Sequence, residues 1–213
     1  MGKRIKDTYK KDLFYFISAN VIIFWVISLQ GSINFELIGT KFTGVINHKS
    51  IFLFLSPIIS VVFNGFLSNP IKEILVFWRF KNRLPGCRAF TKLINTDQRI
   101  DITSLKKLLG KFPEDPSEQN RLWYKIYRDL SNNDIIIGSH RDFLLTRDLC
   151  SISFIFILFL IPIALVIWES MNTKIYYTIF LTSQYLLTSV AARNYGKRFV
   201  CNVLSLKSKE KYS

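Results

Sequence analysis

Uncharged, strongly apolar residues gather into four runs, Leu13–Leu29, Ser50–Ile71, Leu149–Trp168 and Ile175–Ala192, with polar and basic residues between them. A charge-free run of about 18 or more such residues predicts a bilayer-crossing helix, because roughly 20 residues at ~1.5 Å rise span ~30 Å of hydrocarbon. The pattern predicts an all-α membrane protein of four transmembrane helices, with a small, mainly helical cytoplasmic domain inserted between spans 2 and 3. The chain then divides into a basic N-terminus (1–12), a transmembrane hairpin (13–71), a cytoplasmic domain (72–148), a second hairpin (149–192) and a basic tail (193–213).

The runs differ in character. Span 3 is almost wholly Ile, Leu, Phe and Val, which suits a lipid-facing helix, and Pro162 is expected to kink it near its middle. Span 4 places Thr178, Thr182, Tyr185 and Ser189 on one face, flanked by Gln184 and Thr188. Span 2 carries Ser56, Ser60, Asn64 and Ser68 at successive i+4 positions, with Gly65 beside Asn64. Small and hydroxylated residues at that spacing let helices approach closely and bond across the contact. The plainest reading is packing within one bundle. The sharper one makes Ser56, Ser60, Asn64, Thr178, Thr182, Tyr185 and Ser189 a subunit interface or a polar path. No Asp, Glu, Lys, Arg or His lies within a span, which weighs against proton pumps, ion-coupled transporters and voltage sensors.

Between spans 2 and 3 the pattern becomes amphipathic. Lys72–Leu84 continues the apolar character of span 2 and predicts a helix leaving the bilayer, with Trp78 near the headgroups and a stop at Pro85-Gly86. A short helix is expected over Ser104–Lys111, capped by Ser104 or Thr103, and another over Ser117–Leu130, capped by Asp115 with Pro116 at its first position. Asp134–Gly138, with three consecutive isoleucines, reads as a short strand or buried linker; from Ser139 a helix is expected to run unbroken into span 3. Leu122, Trp123, Ile126, Tyr127 and Leu130 share a face suited to a small core. Opposite them Arg121, Lys125 and Arg128 form a basic stripe, tempered by Glu118 and Asp129. A solvated face explains it simply; its functional reading is a docking face for anionic headgroups, a phosphate-bearing ligand such as a nucleotide, or an acidic partner protein.

Charge then sets orientation. The leader, the 69–148 segment and the tail are rich in Lys and Arg, whereas the stretches after spans 1 and 3 hold few, so both termini and the central domain are placed in the cytoplasm at the inner membrane. The formal net charge of +14 is largely this asymmetry. The central segment itself is only mildly basic, with 15 basic against 10 acidic residues, which speaks against direct nucleic-acid binding. No small-x-small cleavage site follows span 1. Three cysteines, none placed outside, and two distant histidines predict reduced thiols and no metal site or cofactor.

Catalytic signals are sparse. His140-Arg141-Asp142 has the letters of a kinase catalytic loop without the accompanying motifs. Cys87 beside Arg88 has two readings, a thiol of lowered pKa or a buried structural cysteine, the second carrying more weight. Asp97 and Asp101 are too isolated to form an acid–base pair.

Two short segments, Leu84–Phe90 (LPGCRAF) and Gln119–Tyr124 (QNRLWY), have the density of family motifs. The layout of a few spans with a compact cytoplasmic module resembles the small membrane subunits and effectors of prokaryotic anti-phage systems, such as the membrane component of Kiwa and the effectors of retron and cyclic-nucleotide systems. The resemblance implies an oligomeric membrane protein that cooperates with a cytosolic partner. Two functions follow: a non-enzymatic membrane sensor or scaffold that recruits or regulates that partner, or an oligomeric pore-forming or membrane-disrupting effector triggered through its cytoplasmic domain.

Overall fold

The computed structural model of the chain describes residues 5–30, 65 and 67–210. The described residues form an all-α structure: α1 (Lys10–Gln30), α2 (Asn69–Phe77), α3 (Ile102–Leu109), α4 (Pro116–Asp129), α5 (Asp134–Ile167) and α6 (Met171–Ser208). Span 2, including Ser56, Ser60 and Asn64, lies outside them apart from its last residues.

Two of these helices, Lys10–Ser28 within α1 and Asp134–Ile167, are long and apolar enough to cross a membrane. The third predicted span within the described residues, Ile175–Ala192, is helical but is not that apolar, because threonines, serines and Gln184 dilute its hydrocarbon. Among the described residues the predicted spans 1, 3 and 4 are helical, and two helices, not four, are long and apolar enough to cross a membrane.

α5 and α6 form the frame. They run antiparallel: Trp168 meets Tyr177 at one end, Ser153 meets Thr188 midway, and Phe143 meets Phe199 at the other. α1 lays Ile17 and Phe24 against Ile152, Phe156, Leu160 and Leu181, while Phe14, Tyr15 and Ile22 on its other face stay exposed. Span 3, predicted to face lipid, is instead the hub. Its helix α5 packs on α1, α2 and α6, and exposes Leu158, Leu165 and Val166 on the remaining face. The reason is register: Ile152, Phe156 and Leu160 recur every four residues and present one continuous apolar stripe to two neighbours.

The second core belongs to the central segment. The apolar face of α4 closes on Phe90, Leu93, Leu105, Ile136 and Phe143, as its spacing predicts. Asp115 caps α4 by accepting from the amides of Ser117 and Glu118, with Pro116 in the first turn. The same core contains Phe199, Val200, Val203 and Leu204. The described part of the predicted tail is therefore mostly the last two-fifths of α6, driven through the centre of the module.

Three local expectations are corrected. α3 begins at Ile102 rather than Ser104, because the Asp101 carboxylate takes the Ser104 amide at 3.0 Å and out-competes the hydroxyls as cap. Asp134–Gly138 is neither strand nor linker but the start of α5: the Asn133 side chain caps the Ile135 amide, and Ile136 alone of the three isoleucines is buried. Capping and burial override the β preference of a branched run. Lys72–Leu84 is not a continuous helix. Ser68 is extended, Pro70 opens α2, and the helix stops at Phe77 where Trp78 turns left-handed at φ 53°.

Candidate functional site

α2 lies where the apolar bundle meets the module, and its contacts organise a buried charged junction. Lys72 donates to one oxygen of Asp148 at 3.0 Å, and the Tyr9 hydroxyl donates to the other at 3.2 Å. Arg147 stands beside them with one guanidinium nitrogen 3.5 Å from Asp148 and its Nε without a partner. The side chains of Lys72, Asp148 and Arg147 are only 5, 4 and 7 % exposed, so two cations share one carboxylate away from solvent. Burial lowers the Lys72 ammonium from its ordinary range against the pull of Asp148, and burial followed by the Asp148 charge raises the Tyr9 phenol. Nearby, Arg141 reaches Asp12 at 2.8 Å and ties α1 to α5.

A second clasp holds the end of α2. Its last carbonyls have no helical partner, and α6 supplies donors. Tyr185 donates to the Leu75 carbonyl at 2.9 Å, Ser189 to that of Val76 at 3.0 Å, and Arg193 Nε to the same oxygen at 2.5 Å. The Arg193 guanidinium then lies 3.9 Å over the Trp78 ring, whose Nε1 donates to Tyr185. The polar stripe read from span 4 is therefore divided. Tyr185 and Ser189 grip α2, Thr178 bonds back to the Lys174 carbonyl, and Thr182 is exposed.

Comparison with protein-family models, with curated proteins and with solved structures returns no match. The site is read from its own geometry alone.

Arg121, Lys125 and Arg128 are all exposed on α4, opposite its core face, and none has an ion-pair partner among the described residues. The two motif-like segments prove to be halves of one joint. Gln119, 1 % exposed, accepts from the amides of Phe90 and Thr91 and donates to the Glu114 carbonyl. Gly86 sits so close to α4 that a Cβ there would meet Asn120 Oδ1 at 2.4 Å and Trp123 at 3.0 Å. These residue choices therefore have a packing cause.

The candidate chemistry resolves into structure. His140 stacks flat on Phe199, with ring centroids 5.0 Å apart, and its Nδ1 meets the Tyr127 hydroxyl at 3.0 Å. Burial, aided by the Arg147 charge, lowers its pKa to about 4. Cys87 is buried, and burial pushes its thiol up despite the Arg88 charge, which fits the structural reading. Asp97 pairs with Arg99, whose hydrogen bonds hold its carboxyl below the usual range, and Asp101 caps α3. Among the described residues no three His, Cys, Asp or Glu side chains converge as a metal site requires. An open groove of about 530 Å³ beside Phe90 and Phe112 carries Lys106, Lys111 and Glu114.

Residue-level reading missed the charged junction by a single position. Lys72 directly follows span 2 and Asp148 directly precedes span 3, so charge itself drew the span boundaries and neither residue was paired with the other. The available signal was their opposite sign at two adjoining span ends.

Proposed function

We propose that this chain is an integral membrane sensor or scaffold that transmits the position of its cytoplasmic module to its transmembrane helices. The four spans would leave both termini in the cytoplasm of an inner membrane, and the basic face of α4 would dock a cytosolic partner. The observation that carries this reading is mechanical continuity. α5 and α6 each run unbroken from the apolar bundle into the module core, and the Tyr9–Asp148–Lys72 junction fastens α1 and α2 to them. A displaced module must tilt the helices it shares.

Membrane insertion is supported by the large apolar side chains left on the outer faces of α1, α5 and α6, among them Tyr15, Val166 and Leu187 at 66, 85 and 71 % exposure. Soluble monomers rarely leave apolar surface contiguous on that scale. The scaffold reading is favoured over the pore because Tyr185 and Ser189 are engaged with α2 carbonyls and are not free to line a path. A role in anti-phage defence rests on overall layout.

The test has two arms. All three cysteines are buried, so cysteines introduced at exposed Asn172 and Asp129 report topology cleanly. Asn172→Cys should react with an impermeant maleimide in intact cells, and Asp129→Cys only after permeabilisation; the reverse pattern overturns the orientation. Changing Arg121, Lys125 and Arg128 together to Glu should leave the fold intact, change stability by less than about 0.5 kcal/mol, and abolish salt-sensitive co-purification of the cytosolic partner. Unchanged co-purification would make the stripe a solvated face.

A further inference from the structure

The segment after α2 does not fit a simple connector. Trp78 and Asn82 are both left-handed, at φ 53° and 48°, and they bracket Arg79, Phe80 and Lys81. A tryptophan pays a backbone penalty in that region that glycine or asparagine largely avoids. Here the conformation is held from several sides. The Trp78 amide bonds the Ile74 carbonyl at 2.8 Å, its indole bonds Tyr185, and Arg83 returns to the Phe80 carbonyl at 2.7 Å while paired with Glu73. A loop fixed this firmly nonetheless leaves Phe80 80 % and Trp78 53 % exposed.

The charge around it is equally one-sided. Arg79 and Lys81 are exposed, Arg88 is half-buried behind them, and none of these three side chains has an ion-pair or hydrogen-bond partner among the described residues. The nearby carboxylate of Glu73 is already taken by Arg83. Arg88 is lowered first by burial and then by the Arg79 charge. Cations left without a paired carboxylate suit an anionic ligand such as a phosphate.

Depth decides which phosphate. The Leu75 carbonyl is approached by Cys150, the second residue of span 3, and the Trp78 ring lies 3.9 Å from the guanidinium of Arg193, the first residue after span 4. The loop is therefore level with the edge of the bundle, where aromatic rings and basic side chains meet lipid headgroups.

We propose that the Trp78–Lys81 loop, with Arg88 behind it, is a binding site for anionic phospholipid headgroups of the cytoplasmic leaflet, Phe80 being seated among the upper acyl chains. The site rests on the membrane reading above and adds a lipid class to it. A basic residue near an anionic surface is worth about fivefold in affinity, so Arg79, Lys81 and Arg88 together supply at most roughly a hundredfold preference for acidic over zwitterionic lipid.

The experiment uses the full chain reconstituted in phosphatidylcholine vesicles with or without phosphatidylglycerol. Nitroxide labels on Phe80→Cys and, separately, on mid-span Leu158→Cys are tested for collision with oxygen and with a water-soluble nickel chelate. Both labels should be shielded from nickel, and phosphatidylglycerol should co-purify with the wild-type chain at least tenfold over its bulk share. Changing Arg79, Lys81 and Arg88 to Glu should remove that enrichment; Arg79→Gln with Lys81→Gln, which leaves the half-buried Arg88 in place, should reduce it severalfold. A shielded label at 158 with a nickel-accessible label at 80, or enrichment unchanged in both variants, overturns the lipid site while leaving the membrane reading standing. A nickel-accessible label at 158 overturns both.

Discussion

Removing Asp148 should harm this protein far more than removing its partner Lys72, although the two form one ion pair. The asymmetry follows from the local charge count. Asp148→Asn leaves the Lys72 ammonium and the Arg147 guanidinium, with side chains 5 and 7 % exposed, facing no carboxylate. Stranding a buried charge costs about 3–5 kcal/mol. Lys72→Met instead removes the surplus cation. Asp148 keeps the Tyr9 hydroxyl at 3.2 Å and Arg147 at 3.5 Å, one negative charge facing one positive, and a thioether of similar length fills the space. Replacing a buried cation with an apolar group under such conditions is close to neutral, so a loss below about 1 kcal/mol is expected. The two single variants should differ by at least about 2 kcal/mol, which for a chain of this size separates their unfolding midpoints by roughly 4–8 °C. Thermal unfolding of purified protein in mild detergent, followed by tryptophan fluorescence, reads the difference directly. Raising the pH should partly rescue Asp148→Asn. Burial already lowers Lys72, and without the opposing pull of Asp148 the ammonium gives up its proton earlier in the folded state, so stability rises with pH. Equal losses in Asp148→Asn and Lys72→Met, or a larger loss in Lys72→Met, would refute the premise that the junction carries an uncompensated positive charge.

Two further outcomes are expected. His140 has a folded pKa of about 4 against an ordinary 6.5, so the unfolded chain takes up the proton first and stability falls as pH drops through that window. The loss is on the order of 2 kcal/mol after allowance for partial exposure, and it should vanish in His140→Phe; an unchanged pH slope in that variant places the titration elsewhere. Gly86→Ala, whose Cβ would meet Asn120 Oδ1 at 2.4 Å, should destabilise by about 1–3 kcal/mol. Gly138→Ala, with open space around it inside α5, should instead stabilise by about 0.5–1 kcal/mol, and equal midpoints for the two would contradict the close fit at Gly86.

What the sequence made legible was local. The Asp115-Pro116 start of α4, its apolar face and the unbroken passage from Ser139 into span 3 are written in spacing and caps a few residues apart. What it concealed depends on contacts distant along the chain. Nothing near Lys72 announces that Tyr9 and Asp148 will enclose it, and nothing near Trp78 announces the three α6 side chains that end α2. The tail's place in the core was hidden for another reason. Its basic residues Lys197, Arg198, Lys207 and Lys209 drew attention to the solvent face, while Phe199, Val200, Val203 and Leu204 carried a helical core period in the same stretch.

That stretch bears on how a displaced module would act on the bundle. A tethered module could rotate freely on flexible links, and a partner pulling on it would move nothing in the membrane. Here α6 is one helix of 38 residues, about 57 Å at ~1.5 Å per residue, and its final turns are the centre of the module core. Relative motion of module and bundle therefore requires bending a continuous helix or breaking its contacts near the crossing with α5. That crossing is tight: a Cβ at Gly196 would lie 3.1 Å from the Phe143 ring and 3.4 Å from Phe77, so α6, α5 and α2 converge at one point. The charged junction of Lys72, Asp148 and Arg147 and the clasp at the end of α2 occupy the same region. Such close packing yields by discrete rearrangement rather than by continuous flexing. A ligand, lipid or partner that favours one arrangement of this crossing would thus be felt at both ends of α6.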